Sequence, residues 1–169
     1  MKNIVLIGFM DSGKSVTARI LAEILKREVV STDQLIEQKE KRGIPEIFNQ
    51  SGEEYFRQVE RRVVEELSNR EGVIIDCGGG VVTVKENLTS LKKNGILIHL
   101  AASVDLIYER VSRRTNRPLL NVPDPKAKIK ELLQERRASY DEADITVDTD
   151  NKSAKQVCSE IIPLIKSVL

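Results

Sequence analysis

The sequence has no tryptophan and only three tyrosines and three phenylalanines in 169 residues. That excludes a single-stranded nucleic-acid reader built on an aromatic stacking platform. It has no charge excess either: 27 basic side chains meet 26 acidic ones, so nothing implies a general polyanion or anionic-membrane binder. The two cysteines, Cys77 and Cys158, form neither a disulfide framework nor a metal-ligand spacing, and they fit a reduced intracellular setting. Met1-Lys2-Asn3 and the four-residue apolar run behind it are too short for the apolar region of a secretory signal, and far too short for a bilayer span. The expectation is therefore a cytoplasmic protein that binds neither nucleic acid nor membrane. Internal repeats, low-complexity tracts and linkers are missing as well. What remains is a single domain over 1–169, long enough to bury a sizeable core.

The strongest positive signal is near the start. The apolar run Ile4-Val5-Leu6-Ile7 leads into Gly8-Phe9-Met10-Asp11-Ser12-Gly13-Lys14-Ser15. This is the Gly-x-x-x-x-Gly-Lys-Ser pattern in the setting it requires: a strand, a glycine loop, then a helical pattern. Gly13 lets the backbone approach a polyphosphate, and the loop N–H groups form an anion nest at the positive end of the following helix. Lys14 supplies a mobile cation for the β- and γ-oxygens, and the Ser15 hydroxyl is placed to ligate Mg²⁺. Gly8, Asp11, Ser12, Gly13, Lys14, Ser15 and Val16 are thus the residues expected around ATP.

Apolar runs then alternate with longer helical patterns, the signature of a parallel sheet covered on both faces. Strands are read at 3–7, 28–31, 73–76, 96–101 and 144–148. Val73-Ile74-Ile75 and Ile96-Leu97-Ile98 are short and continuously apolar, as strands buried on both faces are. Gly72 and Gly95 stand just before them, where helix C-caps belong. The first helix, about 14–27, has Val16, Ile20, Leu21, Ile24 and Leu25 as its inner stripe. The stretch 33–70 is helical throughout, a long insertion of the kind that holds a second substrate in P-loop folds. Within it Ser51 and Glu54 match a capping box. Further helices are expected at 103–111, 126–142 and 152–168, the last with Val157, Ile161, Ile162, Leu164, Ile165 and Leu169 on its packing face. The fold class is α/β: a three-layer αβα P-loop fold with a five-stranded parallel sheet.

Two further stretches invite ligands. Gly78-Gly79-Gly80 follows the third strand, and backbone at that edge of a parallel sheet is open to direct contact. The segment 112–124 contains Arg113, Arg114 and Arg117, just after Arg110, together with Pro118 and Pro123. A basic loop of this length fits a lid that closes over ATP and brings an arginine to the γ-phosphate.

Taken together these motifs resemble the shikimate kinases, in the nucleoside-monophosphate-kinase-like branch of P-loop proteins. The resemblance rests on the P-loop, Asp33, Gly52-Glu53-Glu54 with Phe56-Arg57, Gly78-Gly79-Gly80, Arg117-Pro118-Leu119-Leu120 and Arg136 four residues before Tyr140. It implies transfer of the ATP γ-phosphate to the 3-hydroxyl of shikimate in aromatic amino-acid biosynthesis, by a monomer. It also implies a substrate-binding insertion at about 33–60 and a lid at about 112–124. Arg57 and Arg136 would grip the carboxylate in bidentate forks. Asp33 would accept the proton of the reacting hydroxyl. Glycines 78–80 would offer N–H groups to the acceptor, and Glu60, at i+3, would hold Arg57. Phe48 and Phe56 would either wall the acceptor ring or pack in the core. Arg117 would meet the transferring phosphate, and Arg110 would lie on adenine.

The family pattern breaks at three acids. Ser31-Thr32-Asp33 stands where the family has Asp-x-Asp, so Ser31 can reach Mg²⁺ only through water and brings no charge. Asp11 replaces a glycine of the loop; aspartate tolerates positive φ better than most residues. Asp76 either takes over the outer-shell metal role or caps the glycine loop by local hydrogen bonds. His99, the only histidine, is expected as a hydrogen-bonded core residue. A gluconate kinase of the same branch, or a kinase-like binding protein with impaired turnover, are the competing readings.

Overall fold

The computed structural model describes residues 1–114 and 118–167. Five strands, β1 (Asn3–Ile7), β2 (Val29–Ser31), β3 (Ile74–Asp76), β4 (Gly95–Ala101) and β5 (Ile145–Asp148), form one sheet in the order β2-β3-β1-β4-β5. Every neighbouring pair is parallel. Seven α-helices among the described residues complete the fold: α1 (Lys14–Leu25), α2 (Thr32–Glu40), α3 (Ile44–Ser68), α4 (Lys85–Lys93), α5 (Val104–Ser112), α6 (Pro125–Tyr140) and α7 (Ala154–Lys166).

Strand periodicity divides the core in two. Ile4 and Leu6 of β1 join Ala18 and Leu21 of α1 and Val157, Ile161 and Ile165 of α7 on one face. Val5 and Ile7 point the other way, towards Ile36 of α2, Val63, Val64 and Leu67 of α3 and Leu88 and Leu91 of α4. Because both faces are covered, β1 is buried at every position. A third cluster joins Phe9 to Ile107 and Val111 of α5, Leu120, and Ile129 and Leu132 of α6. It ties the root of the basic segment to the phosphate loop.

Several local expectations change. Val16 and Ile24 are exposed, and α1 instead buries Thr17, Ala18 and Leu21. Small residues on that face let α1 lie close on the sheet. Leu164 is exposed while Cys158 takes a buried place in α7, and Leu169 lies outside the described residues. Ser51 is not an N-cap with Glu54 as partner. The break in α3 falls at Gly52 (φ 83°, ψ 170°), and the Ser51 hydroxyl accepts from Arg42 Nη1 at 3.1 Å. Gly95 belongs to β4 rather than to a helix end; a Cβ there would stand 2.5 Å from the Leu91 carbonyl oxygen. Gly72 does adopt a left-handed φ of 71°, but α3 has already ended at Asn69. Helix α4 had no counterpart in the sequence reading; only Leu88 and Leu91 among its apolar residues mark its inner face.

Candidate active site

β1, β2 and β3 end side by side, with Leu6 beside Asp76 and Asp76 beside Ser31. Their carboxyl ends open into a cavity of about 640 Å³. The topology thus brings the phosphate loop, the start of the helical insertion and the glycine run to one sheet edge, where ligands of parallel sheets bind.

On the donor side, Gly13 N-caps α1 with φ 97°, a conformation that a residue with a Cβ rarely adopts. Asp11 also lies in the left-handed region, at φ 58°. Lys14 Nζ is turned back onto the loop, donating to the Gly8 and Phe9 carbonyls at 2.8 Å each. Burial lowers the pKa of this ammonium, and Asp76, foremost among the nearby acids, pulls it back up. Arg110 Nη1 donates to the Asp11 carbonyl at 2.8 Å, and Arg114 Nε pairs with Asp11 Oδ1 at 3.3 Å. The C-terminal end of α5 therefore braces the loop. Ser15, Val16 and Ser31 face the same cavity. Ser12 Oγ is buried with no hydrogen-bond partner among the described residues.

On the acceptor side, Asp33 sits in the first turn of α2 and lines the cavity. Burial raises the pKa of its carboxyl, against the pull of Lys14. Arg57 binds Glu60 at 2.8 Å and Glu53 at 3.4 Å, so the expected i+3 brace is present. Glu60 is 1% exposed, and burial raises its pKa against the pull of Arg57. Arg136 Nη1 donates to the Gly79 carbonyl at 3.0 Å, and its guanidinium lies 5.2 Å above the centroid of Phe9.

The glycine run owes its composition to close approach. A Cβ on Gly78 would overlap the Asp33 carboxylate, and one on Gly80 would come within 2.6 Å of Arg57 Nη2. The expectation that all three N–H groups face the acceptor needs correction: the Gly78 N–H already donates to Thr32 Oγ1 at 2.8 Å. Gly79 and Gly80 donate to nothing among the described residues. Phe48 and Phe56 pack on one another with tilted rings, centroids 4.7 Å apart, Phe56 within the core cluster and Phe48 against its edge.

The unusual positions and their surroundings separate. Ser31 is the N-cap of α2, accepting from the Gln34 N–H at 3.4 Å, a task a hydroxyl performs as well as a carboxylate. Asp76 lines the cavity, and no hydrogen bond from the glycine loop reaches its carboxylate, so it does not cap that loop. The His99 ring makes no hydrogen bond among the described residues. It stacks on Tyr140 at 4.3 Å, and burial lowers its pKa to about 4. Cys77 is buried beside Asp76, and desolvation pushes its thiol well above the ordinary value. Arg117 lies outside the described residues. Thr32 and Phe9 are the participants that sequence reading missed. A hydroxyl residue beside the acid at a strand end was the available signal for Thr32, whereas Phe9 lies far from Arg136 in the chain and gave none.

No group of three or more His, Cys, Asp or Glu side chains among the described residues forms a metal cage. Besides Asp11, paired with Arg114, and Asp33 on the acceptor side, the side-chain oxygens lining the cavity include the Ser15 and Ser31 hydroxyls and the Asp76 carboxylate. That sparse, hard-oxygen set fits Mg²⁺, which keeps several waters and takes its other ligands from substrate phosphates.

Comparison with known proteins agrees with this geometry. The family profile described as Shikimate kinase matches residues 10–166. A shikimate kinase of Sulfurihydrogenibium sp. (strain YO3AOP1) is 43% identical over 166 residues, covering 98% of this chain and 99% of that protein. One from Thermodesulfovibrio yellowstonii is 42% identical over 162 residues, covering 96% and 94%. Among solved structures, the shikimate kinase of Acinetobacter baumannii in complex with shikimate superposes with a TM-score of 0.94 at 39% identity, covering 99% of this chain and 94% of that one. A gluconokinase from Sinorhizobium meliloti, covering 99% and 93%, reaches a TM-score of 0.63 at 16% identity and shares the fold alone. Matched along nearly its whole length in sequence and in backbone, and carrying the P-loop and acceptor-side residues at one sheet edge, the chain belongs to the shikimate kinase family.

Proposed function

We propose that the chain is an ATP-dependent kinase that transfers the γ-phosphate to the 3-hydroxyl of shikimate, a step of aromatic amino-acid biosynthesis. The observation that carries this reading is the shared cavity. It presents the phosphate-loop Lys14 and the half-buried Asp33 to the same space, with Gly78 and Gly79 beside them. Arg57 and Arg136 flank that glycine run.

In the reaction, Asp33 takes the proton of the acceptor hydroxyl as its oxygen bonds to the γ-phosphorus. The bond from phosphorus to the β,γ-bridging oxygen breaks, and ADP leaves with that electron pair. Lys14 exchanges its two loop carbonyls for phosphate oxygens, and the loop N–H groups neutralise charge as it develops. Arg57 and Arg136 hold the acceptor carboxylate, so alignment rather than covalent chemistry supplies most of the acceleration. Mg²⁺, when bound by Ser15 and, through water, by Asp76 or Ser31, supplies charge neutralisation at the β- and γ-phosphates. Gly8, Ser12, Gly13 and Val16 frame the donor phosphates. Arg110 serves as a brace of the loop in addition to a place beside adenine. The insertion at 33–60 holds the acceptor, and the segment 112–124, with Arg117, closes over the donor.

One chain provides every group this scheme needs, in keeping with a monomer. No described helix is long and apolar enough to cross a membrane, in keeping with a cytoplasmic enzyme. The gluconate reading is not favoured, because that likeness is one of fold only.

A coupled ADP-release assay with ATP, Mg²⁺ and shikimate tests the proposal, with Asp33→Asn alongside. Shikimate-dependent release by the native chain and its loss in the variant are expected. Intact nucleotide binding without shikimate-dependent release would select the impaired-turnover reading instead.

A further inference from the structure

The first turn of α2 and the loop after β3 are cross-linked by one part-buried hydrogen bond. Ser31 and Asp76 pair in register at the ends of adjacent strands, so residue 32 and residue 78 leave the sheet side by side. Thr32 is 0% exposed, and its Oγ1 accepts the Gly78 N–H at 2.8 Å. The next residue along α2 is Asp33. Its carboxylate lies against Gly78 so closely that any Cβ on Gly78 would overlap it. Thus the carboxylate's place depends on where the Gly78 backbone is, and Thr32 holds that backbone. Nothing else among the described residues accepts the Gly78 N–H.

We infer that Thr32 is a positioning residue: its hydroxyl locks the Gly78 peptide so that the Asp33 carboxylate and the glycine run present one preset surface to the acceptor. Physical chemistry favours a threonine here. Its side chain is fully buried, its β-branching limits it to few rotamers, and its oxygen gives the Gly78 N–H one fixed partner in place of mobile water. Valine has nearly the same shape without the acceptor. Thr32→Val therefore frees the Gly78 peptide to rotate and loosens the adjoining carboxylate, with little change in packing. Serine retains the acceptor. Among the described residues no hydrogen bond joins residues 8–16 to Thr32 or Gly78, so the donor side should register its loss far less than the acceptor side.

This inference rests on the proposed transfer to shikimate, and the test separates the two. Thr32→Val, Thr32→Ser and the native chain are compared by steady-state kinetics in each substrate and by NMR hydrogen exchange at the Gly78 amide. Expected for Thr32→Val are faster Gly78 exchange and a fall of about tenfold in kcat/KM for shikimate, the size of one lost hydrogen bond. KM for ATP should stay within about twofold, and Thr32→Ser should restore both readouts. A folded Thr32→Val with native Gly78 exchange, or with native kcat/KM for shikimate in an active background, would overturn the inference. A fall shared equally by the ATP and shikimate parameters would also overturn it, as a general structural effect. Should Thr32→Val not fold, the decision passes to Thr32→Ser: native Gly78 exchange upholds the lock and accelerated exchange refutes it. A native chain without shikimate-dependent turnover would refute the proposed reaction, while the exchange data would still decide whether the lock exists.

Discussion

The donor and acceptor halves of the cavity are built in opposite ways. The donor half comes from one contiguous stretch, residues 8–16, whose geometry is set by backbone: left-handed φ at Asp11 and Gly13, and Lys14 folded onto its own loop. The acceptor half is gathered from four separate pieces, with Asp33 from the first turn of α2. Arg57 comes from α3 and Arg136 from α6, and they meet the glycine run over sequence separations of 23 and 57 residues. A local site tolerates drift, since each residue answers mainly to its neighbours; Asp11 can replace glycine because its own φ and a nearby arginine accommodate it. A gathered site is held by buried polar contacts, and each of these also carries part of the fold's stability.

The largest expected effect that sharpens this contrast is at Asp33. Asp33→Asn should lower kcat about 10³-fold, the scale of a lost general base, with KM for ATP unchanged. Because burial raises the Asp33 pKa, the folded protein holds that proton at higher pH than the unfolded chain does. Stability is therefore lost as pH rises from the ordinary 3.8 through the raised value. Asp33→Asn should accordingly raise Tm at pH 7. An unchanged or lowered Tm would show that the ionised carboxylate is not strained there. In the native chain, kcat/KM for shikimate should fall as pH drops through the raised pKa, which a pH–rate profile measures.

Next comes Arg57. Its loss leaves Glu60 buried and unpaired, so Arg57→Ala should cost about 3 kcal/mol in denaturant melts, besides weakening shikimate binding. Adding Glu60→Gln should recover most of the stability and none of the binding. If both recovered together, the acceptor half would not be the doubly committed structure described above.

A smaller effect concerns His99, stacked on Tyr140 one helical turn beyond Arg136. Its pKa of about 4 lies below the ordinary 6.5, so between these values the unfolded state binds more protons. Stability should then rise with pH across that window, and His99→Gln should flatten the slope of Tm against pH.

The smallest is at Asp11. Its own side chain is 4% exposed but its partner Arg114 is 63% exposed, so solvent screens the pair and Asp11→Asn should cost about 1 kcal/mol. Asparagine keeps the left-handed φ and removes a negative charge from the phosphate site. KM for ATP should therefore fall, by about threefold for an interaction of that size, while KM for shikimate stays fixed. A change in the shikimate term instead would erase the boundary between the halves.

The two halves also differed in how far they could be read from sequence. All five strands and the phosphate loop emerged from apolar runs, glycine placement and one motif, because strand burial and loop conformation are short-range properties. Asp33, Arg57 and Arg136 emerged as a set only through the family resemblance, since no periodicity links residues so far apart. Amphipathic arcs misled at Val16, Ile24 and Leu164, each apolar on a helix whose contact face is narrower than its hydrophobic one. The supposed cap at Ser51 failed because Arg42, from the turn before α3, engaged its hydroxyl.

By itself, then, the sequence determined the order of elements, the phosphate loop and the chemical types available at the site. Tertiary structure alone decided which of those groups touch. It gave Ser31 to a helix cap, set Asp76 at the cavity free of the glycine loop, and spent the Gly78 N–H on Thr32. The physical reason is distance along the chain: an N–H and its acceptor 46 residues apart can find each other only once parallel pairing has brought the ends of β2 and β3 together.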